Sequence, residues 1–289
     1  MNIFKALFGG KKEDTEETKK EHQEKDFEIL KYDGVRAMRM RQTEYAVKCF
    51  RHALELKDDD ETLDYLSQAL MANNELLEAM NVLHQLAERV KGNAAVYVRI
   101  ATIAFMTEDY EAMHEACANA LVIDGTNLQA KYYMAVALEG LNRRDDAVQM
   151  LTSILSEEND FRYGAMLLRC ELYLKEGKND EALADIKVLD EENPDTEDVL
   201  MLKARVMHAM SDLDAAEELC IRVIDLDPFS IPAFIERASV RSEKGDKEGE
   251  KADLQMVMEL NPEEASNDDN PTQTMVQKMK DSQINPLGL

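Results

Sequence analysis

Small and large apolar residues recur along the chain in seven segments of nearly constant spacing. The segments repeat every 33 to 35 residues and align on Ala46, Ala79, Met113, Ala147, Ala182, Ala216 and Glu250. Apolar residues follow each aligned position by four and by seven residues, which is the spacing of one helix face. A small residue precedes each aligned position by twelve residues: Gly34, Ser67, Ala101, Ala135, Cys170, Ala204 and Ala238.

The pattern predicts seven pairs of helices, each helix about a dozen residues long, joined by short turns. Because antiparallel helices approach to about 8–10 Å, small residues are expected where the two helices of a pair cross. The last three segments end at Pro194, Pro228 and Pro262, which stop the second helix of each pair. One pair cannot bury its apolar face alone, so successive pairs are expected to stack.

This arrangement resembles the tetratricopeptide repeat family over residues 27–264. Seven repeats begin near Phe27, Asp60, Ala94, Leu128, Tyr163, Glu197 and Ile231. The resemblance implies an all-α, right-handed superhelical solenoid of stacked helix-turn-helix repeats, with a concave groove lined by the first helices. The chain departs from the family pattern in having no Trp, and Met113 and Glu250 replace the usual Ala. Other helical-pair solenoids, whose periods are about forty residues, fit less well.

Two segments flank the repeats, residues 1–26 and residues 265–289. The first combines a short amphipathic segment with a charged stretch, residues 11–26, which is either a solvated helix or a disordered linker. The second is expected to form a capping helix or a frayed tail. Four apolar residues at the N-terminus fall on one helical face: Ile3, Phe4, Leu7 and Phe8. With nearby lysines they indicate a weak membrane-surface anchor, a partner-binding peptide, or a start segment that frays or docks on the repeats.

Charge and cysteine usage narrow the class of protein. The formal net charge of −25 repels phosphate backbones, so nucleic acid is not expected as a partner. The four cysteines are widely separated and form no C-x-x-C motif, which favours a reducing compartment, and apolar runs are too short to span a bilayer. The sequence therefore predicts a cytoplasmic protein.

The sequence offers little catalytic chemistry. Cys49 and His52 form the best-spaced pair for a metal, but Cys49 lies next to a packing position and is expected to be a buried small apolar residue. No glycine-rich phosphate loop is present. No residue is assigned a catalytic role, and neither a metal nor another cofactor is expected.

The register of the first helices predicts which side chains line the groove. The full set is Lys31, Val35, Met38, Asp64, Gln68, Met71, Val98, Thr102, Phe105, Met106, Tyr132, Val136, Glu139, Leu167, Glu171, Leu174, Met201, Arg205, His208, Ile235 and Ser239. The residues selected as the partner-binding groove are Met71, Val98, Phe105, Met106, Tyr132, Val136, Leu167, Leu174 and Arg205. Five of these predict one apolar stripe that receives an apolar segment of another protein: Val98, Phe105, Tyr132, Val136 and Leu167. The alternative is that some of them pack between repeats.

One subtype of the family, which grips the acidic tails of chaperones, fits poorly. Lys31 and Arg99 match positions of its basic clamp, but Val35, Tyr65 and Ala95 replace the other clamp residues. The acidic net charge also disfavours an acidic tail. The predicted function is a non-enzymatic protein–protein interaction scaffold that binds a protein or peptide in the groove. The alternative is a membrane-surface assembly component anchored by residues 1–12.

Overall fold

The computed structural model describes residues 16–156 and 159–261. The predicted anchor residues Ile3, Phe4, Leu7 and Phe8 and the predicted C-terminal cap at residues 265–289 lie outside this range, so both remain predictions. The described residues form fourteen α-helices. The helices are α1 Glu16–Arg39, α2 Thr43–Leu56, α3 Asp60–Ala72, α4 Leu76–Arg89, α5 Ala94–Met106, α6 Tyr110–Ile123, α7 Leu128–Gly140, α8 Arg144–Ile154, α9 Arg162–Lys175, α10 Asn179–Glu192, α11 Glu197–Ala209, α12 Leu213–Leu226, α13 Ile231–Lys244 and α14 Lys247–Leu260.

The chain divides into two compact units, Met1–Ala137 and Leu138–Leu289, called here the N-terminal and C-terminal units. In the N-terminal unit, α1 packs on α2, α3 on α4 and α5 on α6, and successive pairs meet through α2–α3 and α4–α5. In the C-terminal unit, α9 packs on α10, α11 on α12 and α13 on α14, and successive pairs meet through α10–α11 and α12–α13. The predicted all-α fold of consecutive helix-turn-helix repeats is therefore confirmed.

The first helix starts earlier than the sequence periodicity indicates. It begins at Glu16 rather than near Phe27, so most of the charged segment is helical. Acidic residues in its first turn interact favourably with the helix dipole. Although this extension is exposed, Gln23 Nε2 donates a hydrogen bond to the Leu56 carbonyl at 2.8 Å, and Lys57 Nζ lies 2.6 Å from Glu24 Oε1. These contacts tie the extension to α2.

Small residues occupy the crossing points within the pairs. Five of the aligned second-helix positions are alanines with no exposed surface: Ala46, Ala79, Ala147, Ala182 and Ala216. Their first-helix counterparts Gly34 and Cys170 are also buried, and a Cβ added at Gly34 would come within 2.5 Å of the Phe50 ring. Close helix approach thus explains the small-residue pattern.

A left-handed residue lies in the turn between the two helices of every repeat. These residues have φ between +54° and +81°: Arg41, Asn74, Glu108, Asn142, Gly177, Ser211 and Gly245. In the third repeat, the amide of Glu108 donates a hydrogen bond to the Phe105 carbonyl at 3.2 Å, and the amide of Asp109 donates one to the Ala104 carbonyl at 2.9 Å. These bonds provide donors for two carbonyl groups at the C-terminal end of α5. Only two of the seven positions are glycine, so most of these turns hold a conformation that costs about 1–2 kcal/mol.

Substitution of Glu108 by glycine is expected to stabilise the N-terminal unit by about 0.5–1 kcal/mol. Glycine adopts a positive φ without strain, which stabilises the folded state. The greater flexibility of glycine in the unfolded chain offsets part of this gain. Urea unfolding followed by far-ultraviolet circular dichroism measures the change. The matched control is Glu115→Gly, an exposed position inside α6, which should lose about 1 kcal/mol. Equal losses in both variants would contradict the prediction.

Candidate functional site

The first helices α9, α11 and α13 of the C-terminal unit form a cavity of about 700 Å³. Its lining combines apolar and charged side chains: Glu171, Leu174, Lys175, Arg205, His208, Ala209, Ser211, Pro232, Ile235, Glu236, Ser239 and Glu243. Six of these lie at positions that the register analysis assigns to the groove: Glu171, Leu174, Arg205, His208, Ile235 and Ser239. Helical repetition brings them together, since each helix contributes side chains from one face.

The apolar part of the cavity is anchored in the core. Leu174 packs partly against the core cluster that joins α9, α10 and α11, while Ile235 is 6% exposed and belongs to the cluster of α13 and α14. Pro232, at the start of α13, is exposed. These side chains give the cavity a fixed apolar surface beside its charges.

Ion pairs connect the charged side chains that line the cavity. Arg205 Nη1 lies 3.2 Å from Glu171 Oε1, and Arg205 Nε lies 4.0 Å from Glu236 Oε2. Lys175 Nζ contacts Glu139 Oε1 at 2.6 Å, so this lysine is already held by a buried carboxylate. The two cations are thereby fixed in position before any partner binds.

Glu171 is the most perturbed carboxyl group of the cavity. Burial raises its pKa to about 7, against the opposing effects of Arg205 and Lys175. The residue is only 8% exposed, so loss of hydration of the charged carboxylate outweighs the attraction of the neighbouring cations.

His208 bridges two carboxylates of α13. Its Nδ1 lies 2.6 Å from Glu236 Oε1 and its Nε2 lies 3.1 Å from Glu243 Oε1. Only the protonated ring can donate from both nitrogens. The hydrogen bond to Glu236 is the main cause of a raised His208 pKa, with burial opposing it.

These pKa shifts predict a pH-dependent stability of the C-terminal unit. The folded-state pKa values of Glu171 and His208 both lie above their unfolded values, so both groups bind protons more strongly in the folded protein. The contribution of each group to the free energy of unfolding is fully present below its unfolded-state pKa, about 4.5 for Glu171 and 6.5 for His208. This contribution is lost as the pH rises through the raised pKa of the folded state. The free energy of unfolding should therefore fall from pH 5 to pH 8.

Glu171→Gln should flatten that fall, because it removes the larger titration in this window. Urea unfolding at pH 5, 6, 7 and 8 measures the slope. Glu218→Gln, an exposed carboxyl on α12, carries the same charge change and should keep the wild-type slope. Parallel slopes for wild type and Glu171→Gln would contradict the assignment.

The first-helix face of the N-terminal unit has a different character. Lys31 pairs with Glu61 and with Asp59, whose Oδ2 lies 3.3 Å from Lys31 Nζ, and Arg99 pairs with Asp64. The two cations that match the chaperone-tail clamp are therefore neutralised by carboxylates of this chain. Capture of an acidic tail here would require breaking those pairs.

The predicted apolar stripe is largely buried. Val98, Tyr132, Val136 and Leu167 are 7%, 1%, 6% and 4% exposed, because they pack in the interior rather than face outward. These four side chains therefore present little surface to a partner, which corrects the expectation of an open stripe.

The other predicted groove residues remain accessible to different degrees. Met106 is 52% exposed, and Phe105 and Met71 are half-buried. Phe105 stacks on Tyr133 with 5.5 Å between ring centroids. Leu174 and Arg205 line the cavity described above.

Six lining residues were not predicted from the sequence: Lys175, Ala209, Ser211, Pro232, Glu236 and Glu243. Lys175 and Glu236 directly follow the predicted positions Leu174 and Ile235, and Glu243 follows Ser239 by four residues, one helical turn. The spacing of Ser239 and Glu243 places both side chains on the same face of α13, so Glu243 could have been predicted to line the groove.

The cysteines and histidines elsewhere do not assemble a metal site within residues 16–156 and 159–261. Cys49 is 3% exposed, and burial raises its pKa, whereas His52 on the same helix is exposed and lies 3.1 Å from Glu55. Burial also raises the pKa of Cys117 to about 12. In the described part of the chain, no helix is both long enough and apolar enough to cross a membrane.

Comparison with known proteins agrees with this architecture. A family model described as tetratricopeptide repeat matches residues 129–158. The structure of a tetratricopeptide repeat protein from Parabacteroides merdae is similar, with a TM-score of 0.70, 15% identity, and coverage of 88% of this chain and 98% of that chain. No curated protein gives a significant match to the sequence.

Two further structures share the fold. PilW, described as a widely conserved type IV pilus biogenesis factor, has a TM-score of 0.64 and 15% identity, covering 75% of this chain and 98% of its own. The C-terminal part of a repeat-containing protein from Cytophaga hutchinsonii has a TM-score of 0.63 and 13% identity, covering 84% and 98%. At these identities the likeness concerns the fold.

Proposed function

The chain is a tetratricopeptide repeat protein in fold, and from this premise we propose that it is a non-enzymatic scaffold that binds a segment of a partner protein. Proteins of this fold generally mediate protein–protein interactions and are typically non-enzymatic. The proposed binding surface is the first-helix face of α9, α11 and α13. No catalytic residue is part of the proposal.

The observation that carries the proposal is the cavity itself. Its volume of about 700 Å³ lies within the range of about 300–1,000 Å³ found for small-ligand pockets, which is also enough for one or two side chains. Apolar surface from Leu174 and the exposed Pro232 supplies area to bury, and the charges of Arg205 and Glu236 supply orientation. Because ion pairs already order these side chains, a partner that binds here loses less conformational entropy.

The four cysteines support the predicted compartment. Cys49, Cys117, Cys170 and Cys220 are all buried, and none of them forms a disulfide. A scaffold with these thiols is compatible with a reducing cytoplasm, which we retain as the proposed location.

Selection of peptides from a random library of 12-residue peptides displayed on phage tests the binding surface. Ala209→Trp places a bulky ring at the cavity lining, and Ala184→Trp places the same ring on α10. Both alanines are exposed, so neither substitution should unfold the protein. We expect peptides selected on the wild type to bind Ala184→Trp equally and Ala209→Trp at least about tenfold more weakly. Equal binding to both variants would contradict a site in this cavity.

A further inference from the structure

The charges around the cavity are not balanced. Lys175 is held by Glu139, and the remaining lining carboxylates Glu171, Glu236 and Glu243 face Arg205 and His208. Even with His208 protonated, the lining therefore carries one carboxylate more than its available cations. Asp198, on α11, adds a further negative charge near Glu171. When Glu171 is ionised, the cavity is short of one positive charge.

Glu171 is the carboxylate that this imbalance leaves least satisfied. Its Oε1 accepts a hydrogen bond from Arg205 Nη1 at 3.2 Å, whereas no side chain of the described residues donates a hydrogen bond to its Oε2. The residue is 8% exposed and lines the cavity. Because this oxygen has an unused acceptor beside the cavity, a cationic donor that enters the cavity would gain a charge-assisted hydrogen bond.

We propose that the cavity receives a lysine or arginine side chain of the partner segment, with its charged head at Glu171 and Glu236. This inference rests on the proposed function and specifies the chemistry of the partner. The aliphatic stem of such a side chain would lie against Leu174 and Pro232, as long cationic side chains commonly bury their methylenes on apolar surface. A basic partner also matches the acidic net charge of the chain.

An acidic side chain fits the cavity less well. Arg205 is engaged by Glu171 and lies near Glu236, and Lys175 is engaged by Glu139. An entering carboxylate would have to displace one of these carboxylates and leave it buried without a cation, which is strongly unfavourable. A cation enters without breaking any existing pair.

The pH dependence of binding should follow the same charges. The groups that face Glu171 and His208 are Glu139 on α7, Lys175 on α9, Asp198 and Arg205 on α11, and Glu236 and Glu243 on α13. Between pH 6 and pH 8, Glu171 ionises around its pKa of about 7, which makes the cavity more negative. Affinity for a basic peptide should therefore rise over this range.

The test uses synthetic copies of one selected peptide whose basic residue is replaced by norleucine or by glutamate. Dissociation constants are measured by fluorescence anisotropy with the full-length protein. We expect the norleucine copy to bind about tenfold or more weakly and the glutamate copy more weakly still. Glu171→Gln should reduce the preference for the basic copy to about threefold or less, and Glu218→Gln should leave it intact.

The outcomes separate this inference from the proposed function. If peptides that depend on the Ala209 position bind equally well as norleucine copies, or if such peptides contain no basic residue, the basic-residue inference is overturned and the scaffold proposal stands. If no selected peptide depends on the Ala209 position, the proposed binding surface itself is overturned.

Discussion

Replacement of Phe50 by alanine is expected to lower the free energy of unfolding of the N-terminal unit by about 3–5 kcal/mol. The Phe50 side chain has no exposed surface and stacks on Tyr65 with 5.6 Å between ring centroids. It also fills the space beside Gly34, where a Cβ would come within 2.5 Å of the ring. Because α1, α2 and α3 meet around this ring, the cavity left by alanine has little nearby material to fill it.

Urea unfolding and hydrogen exchange of the α1–α3 amides measure this effect. Hydrogen exchange is needed because a chain of repeats can unfold in parts, and local protection reports the unit that is affected. Leu77→Ala serves as the control in the same unit, since Leu77 is 84% exposed and its loss should change stability by less than about 0.5 kcal/mol. A loss below about 1 kcal/mol for Phe50→Ala would show that the ring is not the packing centre of these helices.

Replacement of Asp253 by alanine is expected to cost the C-terminal unit about 3 kcal/mol, the lower end of the range for breaking a buried ion pair. The Asp253 side chain is 3% exposed and accepts hydrogen bonds from Arg237 Nε and Arg241 Nη1, each at 3.0 Å. Without it, two guanidinium groups that are mostly buried lose a shared partner. Their partial access to water keeps the loss at the lower end.

Thermal and urea unfolding measure the Asp253→Ala change. Asp214→Ala is the matched control, because Asp214 also pairs with a cation, Lys244, at 2.6 Å, but its side chain is 91% exposed. An exposed pair of this kind contributes little, so the control should lose less than about 1 kcal/mol. If the two variants lose similar amounts of unfolding free energy, the burial of Asp253 does not explain the strength of its ion pairs.

Much of the repeat architecture is predictable from the sequence because its physical cause is local. The predicted starts at Asp60, Ala94, Leu128, Glu197 and Ile231 coincide with the starts of α3, α5, α7, α11 and α13. Small residues at fixed spacing report where two helices cross, and this requirement is independent of the rest of the chain. The start of α1 was missed because its added turns bury no apolar face, so the hydrophobic period carries no signal there.

The ion pairs were not predicted, although one of them leaves a trace in the sequence. Arg169 and Asp185 pair across α9 and α10, and Arg237 and Asp253 pair at equivalent positions two repeats later. Each pair is separated by 16 residues, so the repetition could have been found by comparing polar as well as apolar positions. Sequence alone does not report whether a long charged side chain is buried.

Only part of the candidate site could be predicted from the sequence, and helix geometry explains why. On a helix one residue turns the side-chain direction by about 100°, so a small register error moves a residue from the groove to the interior. Val98 and Tyr132 illustrate this error, because both are apolar and both are buried. Leu174 and Arg205 line the cavity as their register indicated, and the charge imbalance around Glu171 required coordinates.

Photo-crosslinking locates the binding surface most directly. Benzoylphenylalanine is introduced either at Ser239, which lines the cavity, or at Glu218, which is exposed on α12, and each protein is irradiated with a labelled peptide from the selection. We expect a crosslinked product from position 239 that excess unlabelled peptide removes, and none from position 218. A specific product from position 218 with none from position 239 would contradict the claim that partners bind in the cavity of α9, α11 and α13.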